Sequence, residues 1–234
     1  AQWRQNLADA FQPAATTDGT NLTVQATIAS LADAEKAMQQ GADGICWLAT
    51  ETLFYGRRTA PSEDKQVIAY LDFAKALAPE KPLTIRTLNA SSSQPLPYLP
   101  QAAEPNPALG LQGVRLTLDQ PQLLRKQCRA VLRAAAETDR LLQLLLPMVT
   151  SVEQLRVLQE LVAAEQIKMD LEPVPIGLLI QAPAAASGGR SQVRGVELVR
   201  RKDHRRHRGR RPVVRPARDG PGRVLRGQRH AGLQ

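Results

Sequence analysis

Three short stretches end in polar residues where an α/β chain does its chemistry. In Gly41-Ala-Asp-Gly-Ile-Cys-Trp-Leu-Ala-Thr-Glu-Thr-Leu-Phe54 an apolar run ends at Ala49, Thr50 and Glu51. Pro82-Leu-Thr-Ile-Arg-Thr87 delivers Arg86, and Pro175-Ile-Gly-Leu-Leu-Ile-Gln-Ala-Pro183 delivers Gln181. Loops past the C-terminal ends of parallel strands hold ligands in such folds. A guanidinium there grips the paired oxygens of a carboxylate or phosphate. A ligand contact is one reading of Arg86. The competing reading is a strand-end arginine paired with Glu51 or another acid, with Glu51 as scaffold. Arg57 and Arg58 read as a solvated basic loop, with anion contact as the alternative. Cys46 reads as a packing residue rather than a reactive thiol.

The elements that must position these residues alternate along the chain. Trp3, Leu7 and Phe11 recur at helical spacing, so residues 1–12 read as the end of a helix. A linker follows, then a strand over Leu22–Ile28. Ser30 and Asp33 open a helix with Leu31, Ala34, Ala37 and Met38 inward, and Gly41 closes it. Ile45 to Leu48 are apolar enough for burial on both faces. Ser62 caps a helix with Val67, Ile68, Leu71, Phe73, Ala74 and Leu77 inward. Strand Leu83–Leu88 follows, then a polar loop from Asn89 to Gln94.

Val114–Leu118 reads as a short strand or 3₁₀ piece. Asp119 and Pro121 open a helix to about Glu137, with Leu124, Cys128, Val131, Leu132 and Ala135 inward. Leu141–Val149 is a buried parallel strand. Thr150 to Glu153 is a capping box for a helix carrying Leu155, Leu158, Leu161 and Val162 inward, and Pro173–Ile180 is the next strand. Alternating strands and helices predict an α/β fold of parallel strands with right-handed crossovers.

Length and charge bound the rest. The 234 residues are 43% hydrophobic but only 3% aromatic, so the core is built from Leu, Ile, Val and Ala. No apolar run approaches the ~20 residues that span a bilayer. The N-terminus lacks a signal-peptide order, and Cys46 and Cys128 read as buried free thiols, so the expected location is cytoplasmic. The net charge of +9 is unevenly held. Residues 187–234 carry 15 basic against three acidic residues, net +12, and all three histidines, His204, His207 and His230. The first 186 residues carry 16 basic against 19 acidic, net −3.

The chain resembles the C-terminal phosphoenolpyruvate (PEP)-binding barrel of Enzyme I of the bacterial sugar phosphotransferase system and the multiphosphoryl transfer proteins. The residues that carry the resemblance are Gly41-Ala-Asp-Gly-Ile45, Thr50-Glu51, Leu53-Phe54, Ile85-Arg-Thr-Leu88, Leu96-Pro-Tyr-Leu99, Asn106-Pro107 and Leu109-Gly110. Arg129-Ala-Val-Leu-Arg133, Leu146-Pro-Met-Val-Thr-Ser-Val-Glu153 and Pro183-Ala-Ala-Ala186 continue it. It covers roughly residues 16–186, with residues 1–15 a helical linker and 187–234 a separate tail.

The resemblance implies a TIM (β/α)8 barrel, incomplete here at about the first five strands, with a disordered basic tail. It implies PEP as substrate and Mg2+ as the family's cofactor. A histidine-phosphorylatable domain and a phosphocarrier protein are the implied partners, with a possible homodimer and no membrane. Arg86 matches a family arginine, so the resemblance makes it the candidate PEP-binding residue. At the other site positions charge is gone. Ala49 stands for an arginine, Asn89 for an aspartate and Ser91-Ser-Ser-Gln94 for a glycine-rich loop ending in lysine. Gln112 stands for an arginine and Gln181 for the metal-binding glutamate.

The family's Asn-Asp metal motif and its cysteine would fall beyond residue 187. No catalytic residue and no metal ligand is assigned, Mg2+ is expected not to bind, and the chain is expected to be an inactive PEP-protein phosphotransferase domain. A non-catalytic interaction or dimerisation module is the alternative. The basic tail reads as a shifted reading frame, as a nucleic-acid-binding arm acting through phosphate contacts, or, with three histidines and no cysteine partner, as a weak metal site. Unpaired sheet edges lead to an expectation of a loose or aggregation-prone fold.

Overall fold

The computed structural model describes residues 10–185. Residues 1–9 of the expected N-terminal helix, and the tail from residue 186 onward, lie outside them. Ala10 and Phe11 form a turn, so that helix does not run to residue 12. Two short strands, β1 (Ala14–Ala15) and β2 (Asn21–Leu22), pair antiparallel. Five strands form one parallel sheet in chain order: β3 (Gln25–Ile28), β4 (Gly44–Ala49), β5 (Leu83–Arg86), β6 (Leu142–Pro147) and β7 (Ile176–Leu179).

Between them run α1 (Leu31–Gln39), α2 (Glu51–Phe54), α3 (Glu63–Lys75), α4 (Val114–Asp119), α5 (Pro121–Ala136) and α6 (Val152–Met169). Neighbouring strands are consecutive in sequence, so right-handed crossovers put every connecting helix on one face of the sheet. The side chains agree. Ile45, Leu48, Leu83, Ile85, Leu142, Leu144 and Leu146 are buried together with Val67, Tyr70, Leu124, Val131, Leu155 and Leu158 from the helices. Trp47, Ala49, Arg86, Gln143 and Leu145, on the other face, are half-buried. A singly wound parallel sheet with a helical outer layer is the wall of a (β/α) barrel, and five of its strands lie among the described residues.

Local chemistry sets the element ends. The Ser30 hydroxyl accepts from the Asp33 amide while the Asp33 carboxylate accepts from the Ser30 amide, closing the capping box on α1. Gly41 has φ +79°, and a Cβ there would sit 2.2 Å from the Ala10 carbonyl oxygen. Only glycine combines that conformation with that approach.

Several sequence expectations are corrected. The strand read over Leu22–Ile28 is split. A turn at Thr16–Thr20 folds Asn21–Leu22 back onto β1, and Gln25–Ile28 alone joins the parallel sheet. Val114–Asp119 is α-helical, although Val114 and Thr117 favour strand. Thr117 is buried, and its hydroxyl donates to the Val114 carbonyl, which satisfies it within the helix. The α6 cap is Ser151 accepting from the Gln154 amide, while the Gln154 side chain returns to Thr150, one residue later than expected. Ile68 and Leu31 are exposed, and Gln66 and Tyr70 take the inward slots on α3. Cys46 and Trp47 are half-buried, so β4 is not buried on both faces, and of the two free cysteines only Cys128 is fully enclosed.

Candidate functional site

Strand register brings the candidate residues to one edge. Ala49 lies opposite Arg86, and Arg86 opposite Leu145. Thr50 and Glu51 leave β4 at that edge, Arg86 to Asn89 leave β5, and Gln181 follows β7. The Arg86 Nη2 donates to Glu51 Oε2 at 2.9 Å, with the two side chains 15% and 14% exposed. Glu51 Oε1 accepts the Asn89 amide, also at 2.9 Å. Both carboxylate oxygens are thus engaged, in keeping with the scaffold reading of Glu51. The guanidinium carbon of Arg86 lies 5.9 Å from the centre of the Trp47 ring, a cation–π distance. Arg86 Nε, Thr87 Oγ1 and Asn89 Oδ1 are buried without a hydrogen-bond partner. Burial and the Glu51 charge push the Tyr55 hydroxyl up, and the Arg86 charge offsets part of that.

Beneath this edge lies a polar cluster that the sequence reading missed. Gln127 on α5 is buried, and its amide nitrogen donates to the Thr50 hydroxyl at 3.1 Å and to the Tyr70 hydroxyl at 3.0 Å. Its carbonyl accepts the Leu88 amide at 2.9 Å. Thr50 in turn donates to the Arg86 carbonyl at 2.9 Å. Tyr70 donates to Gln66, which donates to the Pro61 carbonyl. One side chain therefore ties the ends of β4 and β5 to two helices. Its signal in the sequence was a glutamine at an inward helical position, between Leu124 and Val131.

The loop from Thr87 to Gly113 packs over a small second core of Phe54, Leu88, Ala90, Leu96 and Leu116. The Glu104 carboxylate accepts from the Ser92 hydroxyl and the Leu111 amide. Arg115 donates to the carbonyls of Ala108 and Leu109. Gly113 has φ +56°, and a Cβ there would lie 2.9 Å from Asn89 Oδ1 and 3.0 Å from the Pro147 carbonyl oxygen. Ser91, Ser92 and Gln112 bring no charge to this loop. Arg57 is exposed and donates to the Leu53 carbonyl, and Arg58 is exposed.

Among the described residues the strand-end donors do not match the carboxylate set that holds Mg2+. Asn89 and Gln181 offer neutral amides, and Glu51 is engaged on both oxygens. Among the described residues no three of His, Cys, Asp and Glu gather into a metal-holding group. No helix among the described residues is long and apolar enough to cross a membrane. The three histidines lie outside the described residues.

Comparison with known proteins gives this edge its context. The chain is 39% identical over 175 residues to a multiphosphoryl transfer protein of Xanthomonas campestris, covering 75% of this chain and 21% of that protein. It is 34% identical over 185 residues to the multiphosphoryl transfer protein of Rhodobacter capsulatus, covering 79% and 22%. It is 36% identical over 179 residues to a phosphoenolpyruvate-protein phosphotransferase of Buchnera aphidicola, covering 74% and 31%. The chain thus spans about a fifth to a third of the length of these curated relatives. The family described as PEP-utilising enzyme, PEP-binding domain matches residues 4–198, wider at each end than the 16–186 read from the sequence. With most of its length inside that match, the chain belongs to the PEP-utilising enzyme family, as its PEP-binding domain.

Proposed function

We propose that this chain is a PEP-binding domain of the Enzyme I type that keeps the family scaffold and does not carry out phosphoryl transfer. Arg86 is its retained ligand-binding residue, contacting PEP weakly. One observation carries the reading. Among the described residues, Arg86 and Glu51 at the strand-end edge are paired at 2.9 Å, while Ala49, Asn89, Gln112 and Gln181, at the other matched positions, are neutral.

Phosphoryl transfer depends on cations and metal that stabilise charge spreading over the transferred group. Removing one such contact typically costs about 10²–10³ in rate. With several missing together, the expected rate falls to background. Mg2+ is expected not to bind, for want of carboxylates. The histidine-bearing domain, the phosphocarrier protein, sugar uptake, self-association and a cytoplasmic location belong to this reading through the relatives' kind.

Calorimetric titration of the full chain with PEP, with and without Mg2+, tests the ligand assignment. The expected dissociation constant is millimolar or weaker, about −4 kcal/mol or less favourable, unchanged by Mg2+ and weakened further by Arg86→Gln. Micromolar, Mg2+-dependent binding would overturn it.

A further inference from the structure

We infer that Gln127 is the positioning residue of this edge: from helix α5, its buried amide fixes the main-chain ends from which Arg86 and Glu51 reach the ligand side. This rests on the reading of Arg86 as the ligand-binding residue. The Arg86 side chain is 15% exposed, so a ligand meets only a small part of the guanidinium. A slight shift of the β5 end withdraws that part or breaks the 2.9 Å bond to Glu51. Such a contact is held by groups whose own positions are locked.

The main chain leaving β5 is locked group by group. The Arg86 carbonyl accepts the Thr50 hydroxyl at 2.9 Å, and the Thr87 amide donates to the Leu145 carbonyl. The Leu88 amide donates to Gln127 Oε1 at 2.9 Å, and the Asn89 amide to Glu51. The first and third of these depend on Gln127, because its Nε2 also donates to the Thr50 hydroxyl at 3.1 Å. A hydroxyl has one proton, so Thr50, accepting from Gln127, directs its own to the Arg86 carbonyl. Thr50 immediately precedes Glu51, so the same bond sets where that carboxylate starts.

The direction of each bond is set from below. The Pro61 carbonyl can only accept, so Gln66 turns its Nε2 to it and its Oε1 to the Tyr70 hydroxyl. Tyr70 gives its proton to Gln66 and accepts from Gln127 at 3.0 Å. Gln127 must therefore present its nitrogen to both hydroxyls and its oxygen to the Leu88 amide. Only a side chain that both donates and accepts does this.

The test titrates the full-length chain with PEP, followed by the phosphorus NMR line of PEP. Gln127→Leu, Thr50→Val and Thr50→Ser are compared with the parent, each with and without Arg86→Gln, and urea unfolding establishes that each variant is folded. Thr50→Val keeps the shape and removes the hydroxyl, so it serves if Gln127→Leu does not fold. Gln127→Leu and Thr50→Val are each expected to weaken PEP binding about fivefold, approaching the loss from Arg86→Gln itself. Neither is expected to add to that loss once Arg86→Gln is present. Thr50→Ser, which keeps the hydroxyl and drops the methyl group, is expected to bind as the parent does. A packing role would favour Thr50→Val over Thr50→Ser, so the order of the two separates the hydrogen-bond chain from packing.

Folded variants that bind PEP as well as the parent, while Arg86→Gln weakens it, overturn the role of Gln127 and leave the Arg86 assignment standing. So does an equal loss with and without Arg86→Gln. If Arg86→Gln changes nothing in the parent, the Arg86 assignment falls, and this inference with it.

Discussion

Two polar systems in this molecule treat charge in opposite ways. At the strand-end edge, one arginine and one glutamate cancel each other among neutral neighbours. On the helical layer, charge is dense and paired. Glu165 of α6 takes Arg125 and Arg129 of α5, with Arg129 Nη1 at 3.0 Å. Glu63 of α3 takes Arg129 at 2.7 Å and Arg133 at 2.9 Å, and Arg133 also reaches Asp64 at 2.7 Å. Three helices are linked by one chain of alternating charges. The contrast separates two demands on the same sequence. Helix-to-helix ion pairs serve the scaffold whether or not a ligand is bound. Unpaired cations at a strand edge serve only an anionic ligand, and among the described residues the arginine at that edge, Arg86, is paired with Glu51.

If the scaffold is what this chain preserves, the largest penalties come from the buried network beneath the edge. Gln127→Leu leaves the buried Leu88 amide without a partner, while the Thr50 and Tyr70 hydroxyls each lose a donor but keep the acceptor they donate to. A buried unsatisfied group costs about 1–3 kcal/mol, so a loss of about 3 kcal/mol is expected in urea unfolding. A loss below about 1 kcal/mol would break the claim that Gln127 holds the two strand ends.

Glu165→Gln comes next. It strips the carboxylate from between two arginines that are themselves 34% and 22% exposed. Water reaches the stranded arginines, so about 2 kcal/mol is expected rather than the 3–5 kcal/mol of a fully buried pair.

The pH dependence follows from the same network. Burial alone raises Glu63 and Glu165, but the hydrogen bonds and charges of their arginine partners together outweigh it and hold both below the usual carboxylate range. A folded-state pKa below the unfolded one contributes stability that is present above the unfolded value, near 4.3, and is lost as pH falls through the folded value. Tm is therefore expected to be flat through these groups above about pH 5 and to fall below it, with a shallower fall in Glu165→Gln. An equal acid slope in that variant would separate the network from acid stability. At the edge, Arg86→Gln leaves the Glu51 carboxylate, 14% exposed, with only the Asn89 amide, so a cost of about 2–3 kcal/mol is expected in the same unfolding measurement.

The elements were legible where their chemistry is local. Ser30, Asp33 and Gly41 announced α1 and its end, and the apolar run after Gly44 announced β4. The pairing of Arg86 with Glu51 was legible as one of two readings, because both leave strands at the same edge. Gln127 was illegible because its partners are 39 to 77 residues away, and a glutamine among leucines reads as a break in the apolar face. The helix at Val114 was misread for a similar reason. Its β-branched residues favour a strand locally, whereas burial and the Gly113 turn decide in favour of helix. Cys128 read correctly as an enclosed thiol: burial, with Glu165 adding to it, pushes it up to about 12.

The central claim is that the family scaffold persists here without its phosphoryl chemistry. The most direct measurement is incubation of the full chain with labelled PEP, Mg2+ and the histidine-bearing domain of an active relative, followed by counting label on that domain. The expected result is no label above a control lacking this chain, with the relative's own PEP-binding domain labelling fully in parallel. Label accumulating in proportion to the amount of this chain, and lost in Arg86→Gln, would contradict the account.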